Sequence, residues 1–587
     1  MEHNSRGNMW QWRKTAGLLA AIFTLLLWVT YCPAACALSE DAGIKVYCNG
    51  DYRGSTAYID TGSGVALVPL ALIEGIPGLR FDIRDNQALF AINGRELKTA
   101  VGSDSYTLDG KTYRWRCGLK PWKYGIAVPA RDLFEALGGS VRWDGKNRAV
   151  YIDVPVESAP MPQRVAKAAL PLRMAFVHDE RLWLLDMNRP EAEPQLVPGE
   201  NVDQIIGWSE DGQWLAYLRR TSDDAFSDDT RLWVVRADGE QSLCLDDQPV
   251  VRGTPAWSPV ENTIAYQTLQ WVDQEIRDQS LKLARLENGK WVNRTLIDCA
   301  GRGFVAGLTW FPDGRSMAVS WRVTDKDRPA IDRVDLNGKC TRLFTLPSNG
   351  AESDESGLYP CEMRGLKLSP DGRYAAYFLA LNSESLNADG MTLQVVDLQN
   401  PHSLLTIGDA LGYPEWLAWS PDSRKLACIV GCDRIASTNK RLKVVDIVNS
   451  AFQEQDLGEA GMVDTRPFWG MNGQYLFYAR GRESEAWLEE GRHQEVTVPG
   501  QQVWCRKDAV ERPVTAPENT QADYPLSLSP DSKFLVFERL DWFDQGSLYL
   551  LDLDNNQQVK VLDNLQVDPG FYGNYYPDSV SIKWVLR

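Results

Sequence analysis

Histidine is scarce in this chain, with four in 587 residues. His3 lies in the leader, and His178, His402 and His493 stand apart without a His-x-His pair. A copper or zinc centre built from imidazoles therefore lacks ligands, and a Ser-His-Asp triad would have to recruit an isolated histidine. A G-x-S-x-G elbow and glycine-rich phosphate loops are missing as well. So are clusters of Lys and Arg, and with a net charge of −17 the chain has no footprint for nucleic acid. Its acid is dispersed, as on a solvated surface.

What is plentiful is aromatic: 22 Trp and 21 Tyr, side chains that suit the pleated surface of a sheet. The length exceeds what one core supports, so at least two domains are expected. Residues 1–37 read as a secretory signal. Arg13 and Lys14 precede the apolar run 16–29, and the small residues of PAACALS follow it. Removal near Ala37 is the expectation. An uncleaved anchor, or lipidation at Cys36, is the alternative, and membrane attachment is expected only through this segment. The protein is thus expected outside the cytoplasm, secreted or in the cell envelope. Nine cysteines remain beyond the leader, and Cys48 with Cys117 and Cys340 with Cys361 are the disulfides to test first. Cys428 and Cys432, in CIVGC, lack the second pair or histidine of a metal site and read as structural.

Residues 43–153 contain two similar halves, VALVPLALIEGIPGLRFDIRDNQALFAI from Val65 and GIAVPARDLFEALGGSVRWDGKNRAVYI from Gly125. Each predicts a strand ending in Val-Pro, a short helix, and a hairpin turning at Asp85-Asn86 or Asp144-Gly145. This α+β module resembles the copper amine oxidase N-terminal-like domain, which is common on exported proteins. In the oxidases that domain is an appendage, and their chemistry needs a Tyr-derived quinone and three histidines. Asn574-Tyr575 is similar to the quinone precursor, but Tyr576 follows where an acid is typical, so oxidase activity is not expected.

Residues 154–171 carry four prolines and read as a semi-extended linker. From 172 to 587 one phrase recurs: WSEDGQWLAYL at 208, WSPVENTIAYQ at 257, WFPDGRSMAVS at 310, LSPDGRYAAYF at 368, WSPDSRKLACI at 419, WGMNGQYLFYA at 469 and LSPDSKFLVFE at 528. A period of 49 to 59 residues matches a β-propeller blade of four strands. In S-P-D-G, proline presets φ, aspartate accepts local N–H groups and glycine tolerates positive φ. Asp313, Asp371 and Asp422 are therefore turn residues, and Trp208, Trp257, Trp310 and Trp419 pack between blades. RMAFVHDERLWLLDMN at 173 supplies strands without an anchor, and SIKWVLR at the end supplies an anchor without strands. Joined, they make an eighth blade closing the ring by pairing the chain ends; seven blades is the alternative.

The repeats resemble the WD40-like propellers of the periplasmic TolB family and of prolyl oligopeptidases. The TolB resemblance implies a protein-binding scaffold. The peptidases carry catalysis in a hydrolase domain for which this chain has no room. The overall expectation is a mainly β, two-domain, non-enzymatic protein without cofactor, binding a protein or cell-envelope polymer. Its alternative is a propeller that binds or cleaves polysaccharide.

Loops between second and third strands are the natural place for a site on a rigid ring. Trp271 and Asp273 repeat in Trp542 and Asp544 as W-x-D-Q, with Asp541 beside them and Trp321 and Asp325 comparably placed. Such Trp could stack on a sugar or anchor a partner. Asp223, Asp224, Asp228 and Asp229 form the densest acidic loop, a weak calcium candidate, whereas DLDNNQ at 552 reads as a hairpin turn because it lacks the glycine and closing glutamate of a calcium loop.

Overall fold

The computed structural model describes residues 43–585, apart from 75, 77, 85, 93, 123–124, 155–160, 223, 225–226, 228, 273–274, 300–301, 349–356, 449–450, 471–472, 486–494, 571 and 575–578. The leader with Cys32 and Cys36, Asp85, Asp223, Asp228, Asp273, His493 and Tyr575 lie outside the described residues. The chain is mainly β and divides into two compact units, one of residues 1–79 and 94–155, the other of 80–93 and 156–587.

In the first unit the two halves meet through their Val-Pro strands. Ala66–Pro69 and Gly125–Pro129 pair antiparallel, with Val68 opposite Val128. Beyond Pro69 the chain makes only a 3-10 turn, Leu70–Leu72. Beyond Pro129 it makes the helix Ala130–Ala136, whose Ala130, Leu133 and Phe134 are buried. The second hairpin, Ser140–Asp144 with Ala149–Asp153, stays in this unit, where Ala149–Asp153 also runs parallel to Ile44–Cys48. The first hairpin, Arg80–Arg84 with Gln87–Ile92, belongs to the second unit.

The second unit is built from four-stranded antiparallel meanders, the construction of a propeller blade. Among the described residues there are seven sheets of four strands and an eighth to which Gln163–Arg164 adds a fifth by pairing with Gln558–Gln566. Part of the expected linker is thus an edge strand. Arg164 holds it down, its guanidinium donating to the carbonyls of Ala166, Ala168, Arg189 and Ala192. One sheet is composite: Leu172–His178 pairs with Arg181–Asp186 on one side and with the C-terminal strand Val580–Trp584 on the other, with Leu172 opposite Trp584.

Second strands are buried on both faces. Ser316–Trp321 is buried throughout and Tyr374–Leu381 nearly so. That is why these segments read as continuous apolar runs without alternation. Each hydrophobic cluster of this unit draws on two consecutive sheets. Phe311 and Ile331 meet Met363 and Tyr377, Phe378 and Leu393 meet Leu417 and Leu426, and Tyr524 and Val536 meet Met174 and Phe176 of the composite sheet. The composite sheet in turn packs Ala175 and Leu184 on Ile205 and Leu215.

All nine described cysteines are free thiols. The expected bridge between Cys340 and Cys361 is not formed, because Cys340 begins an outer strand and Cys361 lies in an inner strand of the next sheet. Cys48 and Cys117 are likewise unbridged. Cys428 is buried, and burial pushes its thiol up to about 12, which makes it unreactive. His178, one of the isolated histidines, is 1% exposed.

Candidate functional site: a tryptophan-lined cup at the turn end of the sheets

The recurrent phrase builds both its turn and the seam beside it. Asp371 accepts the Ser369 hydroxyl and the Arg373 N–H at 3.0 Å. Asp422 does the same with Ser420 and Arg424, and Asp531 with Ser529 and Lys533. Asp313 takes the Arg315 N–H at 2.9 Å. These carboxylates are folded onto their own turns, as the sequence predicts.

The anchor tryptophan ends the innermost strand, and its indole N–H reaches across to the preceding sheet. Trp257 donates to the Gly207 carbonyl at 2.9 Å, Trp310 to Ala256 at 2.9 Å, Trp419 to Lys367 at 3.2 Å and Trp469 to Ala418 at 3.0 Å. The acceptor each time is the residue before the preceding anchor. The composite sheet joins the same scheme: Trp208 donates to the Ser581 carbonyl at 3.3 Å, and Trp584 to the Ser527 hydroxyl at 2.8 Å. The anchors therefore tie sheet to sheet as well as filling the space between them.

Five consecutive inner strands bring these residues around one cavity of about 580 Å³, within the usual range for ligand sites. Trp257, Trp310, Trp419, Trp469 and Phe468 line it, with Pro259, Pro312 and Pro370 from the turns. Lys367 is its only ionisable lining residue among those described. The ammonium of Lys367 donates to the Leu417 carbonyl at 2.7 Å and the Pro414 carbonyl at 3.4 Å, and burial lowers its pKa against the field of Glu415. A smaller cavity of about 410 Å³ lies beside Trp584 and contains Asp531. The Ser529 hydroxyl holds that carboxyl below its ordinary value.

The opposite, loop end of the sheets is closed and charged. Asp464 and Arg480 are cross-strand partners, both essentially buried, with Arg480 Nε 2.6 Å from the carboxylate. The other Asp464 oxygen accepts the Leu442 N–H of the preceding sheet at 3.0 Å. Asp523 and Arg539 repeat the pair in the next sheet at 2.7 Å, and Asp203 with Arg220 does so at 3.3 Å. Sequence reasoning missed these pairs, although a signal exists: each aspartate stands five residues before its anchor, Trp469, Leu528 or Trp208.

Beside them Glu538 is 4% exposed, and its Oε1 has no hydrogen-bond partner among the described residues. Burial pushes its carboxyl up to about 7, against the pull of Arg466. Arg466 lies over the Tyr524 ring, 5.0 Å from its centre, and the Tyr524 and Thr497 hydroxyls are 3.2 Å apart. The residues Glu495, Val496, Thr497 and Val498 are all buried at this end. Among the described residues the cluster is thus buried.

Among the described residues, the expected loop residues stand in separate environments, and Asp273 lies outside them. Trp321 is 7% exposed and belongs to an intersheet core with Val305 and Val319, so it is no open platform. Asp325 is exposed on the loop that follows. Trp271 falls in the strand Thr263–Val272, and its side chain lies outside the described residues. Asp541 accepts the Gln521 amide at 2.7 Å. The Trp542 element is occupied by the chain's own Arg80. Its guanidinium lies 5.2 Å from the Trp542 ring centre and 2.9 Å from Asp544, and donates to Gln545 at 2.8 Å. An aromatic face beside a carboxylate and an amide is a natural arginine socket. Its occupant lies far away in sequence, which is why the loop reads as open.

Of the four calcium candidates, Asp223 and Asp228 lie outside the described residues. Asp229 is paired with Arg231 and accepts the Thr221 hydroxyl at 2.8 Å, while Asp224 is exposed. Among the described residues no group of three or more His, Cys, Asp or Glu is placed to hold a metal. DLDNNQ is a hairpin turn in which Asp552 accepts the N–H groups of Asp554 and Asn555.

No family model matches the chain, and no curated protein is similar to it. Similar solved structures include the dihydro-heme d1 dehydrogenase NirN, at 14% identity and a TM-score of 0.44, covering 73% of this chain and 77% of that one. A prolyl endopeptidase structure has 14% identity and a TM-score of 0.38, covering 62% and 50% of the two chains. TolB from Acinetobacter baumannii has 16% identity and a TM-score of 0.27, covering 63% and 83%.

Proposed function

We propose that this is an exported, non-enzymatic binding protein in which a closed, eight-bladed TolB-like propeller carries a copper amine oxidase N-terminal-like module as an appendage. Closure is supported by the pairing of Leu172–His178 with Val580–Trp584 and by the indole bonds that continue through the composite sheet. The appendage reading draws support from the pairing of its two similar halves through their Val-Pro strands.

One observation carries the binding role. The central cavity is lined by four tryptophans, a phenylalanine and prolines, and by no carboxylate among its described residues. Glycoside cleavage uses two carboxyl groups roughly 5 to 10 Å apart across a cleft. Trp310 and Trp419 are as buried as Trp321, so the cup offers the half-buried rings of Trp257, Phe468 and Trp469 and one cation, which suits holding a protein segment or an envelope polymer. This favours binding over polysaccharide cleavage at this position, and it moves the site from the loop face to the turn face.

The test uses the chain without residues 1–37, titrated with solubilised cell-envelope polymers while tryptophan fluorescence and release of reducing ends are followed. A saturable fluorescence change that disappears in the Trp257→Ala/Trp469→Ala variant, without new reducing ends, is expected. Turnover of the polymer would overturn the non-enzymatic reading. A response that survives in the double variant would remove the cup as the site.

A further inference from the structure

The chemistry of the cup narrows its ligand, on the reading that the cup is the binding site. Its tryptophans are poor hydrogen-bond partners for a guest, because the indole N–H groups of Trp257, Trp310, Trp419 and Trp469 are all spent on backbone carbonyls. The Ser369 hydroxyl is spent on Asp371. A polyhydroxylated part of a protein or envelope partner entering this lining would lose water and find few donors or acceptors in exchange, so the part that enters is apolar. Among the described lining residues, those with a polar side chain not yet accounted for are Thr309 and Lys367.

Lys367 has its hydrogens partly satisfied and its charge unpaired. Two neutral carbonyls accept from it, leaving one of its three donors. No carboxylate lies within ion-pair distance of it among the described residues. Glu415, the acid whose field reaches it, is itself bound to the Asn574 amide at 3.1 Å. The turn aspartates at the rim are folded onto their own turns, and Arg315, Arg373 and Arg424 follow them two residues on. Lys425 has its ammonium 5.8 Å from the centre of the Trp469 ring but is paired with Asp446 at 3.6 Å, and Arg373 is paired with Asp397 at 2.6 Å, so the charge that faces a guest is that of Lys367. A cationic guest, which aromatic walls alone would welcome, thus meets like charge. An anion over the ring faces is disfavoured by their negative quadrupole, so the favourable position for one is against Lys367.

We propose that the cup binds an apolar ligand, aromatic or acyl, that carries a single carboxylate, with Lys367 as its counter-ion. Wall and cation then act on different parts of one guest: rings and prolines bury the apolar body, and the third ammonium hydrogen meets the carboxylate. A charge-assisted bond of this kind is stronger than a neutral one.

Isothermal titration calorimetry of the leaderless chain with 2-naphthoate, its alcohol 2-naphthalenemethanol and its cation 2-naphthylmethylammonium tests this, with dodecanoate as the acyl arm. The carboxylate is expected to bind about ten-fold tighter than the alcohol and the cation more weakly than either. In Lys367→Met that preference should vanish, the carboxylate falling to the level of the alcohol, and Lys367→Arg should restore most of it. Tighter binding of 2-naphthoate than dodecanoate assigns an aromatic guest, and the reverse order an acyl one. Equal binding of carboxylate and alcohol to the unsubstituted chain overturns the anion assignment and leaves the cup as a binding site. Absence of binding by every probe overturns both. The ligand-side comparison stands even if Lys367→Met fails to fold.

Discussion

Neighbouring sheets of the propeller unit are tied at both ends, by different chemistry. At the turn end the tie is an indole N–H on a carbonyl beside an open cavity, as in Trp310 and Ala256. At the loop end it is a carboxylate between an arginine and the neighbouring sheet's backbone, closed off from water, as in Asp464 with Arg480 and Leu442. The difference teaches where each end can change. A neutral bond at the rim of a cup can lose its partner to water, whereas a buried ion pair cannot lose one member without stranding the other. The open end is thus free to carry a ligand, and the closed end holds the frame.

The sharpest way to break this contrast is Asp464→Ala. It leaves Arg480, 2% exposed, without its main counter-charge and the Leu442 N–H without an acceptor. Arg480 retains the Leu457 carbonyl at 2.8 Å and Glu511 at 3.3 Å, so the loss belongs near the low end of the range for buried pairs, about 3 kcal/mol. Urea unfolding followed by tryptophan fluorescence measures it. A loss below about 1 kcal/mol would mean that the pair behaves like a surface bridge, and the closed end would not be closed.

Glu538→Gln sharpens the same contrast with pH. The folded carboxyl titrates at about 7, above its ordinary 4.5, so the fold favours the protonated form. Stability from this group is complete below about pH 4.5 and is lost as pH rises through 7. The amide has nothing to ionise, so the variant should match the parent at pH 4.5 and exceed it by on the order of 2 kcal/mol at pH 8. Melting temperatures at the two pH values read this out. An equal difference at both would place Glu538 in water, contrary to its burial among Tyr524, Arg466 and the intersheet core.

How much of this was legible depended on distance along the chain. The S-P-D-G turns follow from three adjacent residues, and the anchor tryptophans from their place at a strand end, so both could be read locally. The composite sheet was legible because each chain end carried half of a repeat whose full form occurs elsewhere. The loop-face site was not. Whether Trp542 is open depends on Arg80, supplied by a hairpin whose twin, Ser140–Asp153, stays in the other unit. Whether Trp321 is open depends on the preceding sheet, which supplies Ala265, Leu281 and Leu283 to its cluster. Local chemistry gave residue types suited to recognition, and whether a loop tryptophan is open is decided by partners far away in sequence. The cup went unread because its residues had already been explained as packing, and packing residues at the end of a strand can face a cavity with their other side.

The smallest expected effect tests that last point. Trp310→Phe removes the indole donor to Ala256 while keeping most of the ring. Ala256 lines the cup, and with water at hand to replace the lost N–H the cost should be about 1 kcal/mol, the net worth of an ordinary hydrogen bond. The same substitution removes wall from the binding site, so 2-naphthoate affinity should fall even though stability hardly moves. A change in stability as large as that of Asp464→Ala would show that the turn end is sealed like the loop end. Unchanged affinity would show that Trp310 turns its edge, and not its face, toward the guest, leaving Trp257, Trp419 and Trp469 to form the wall.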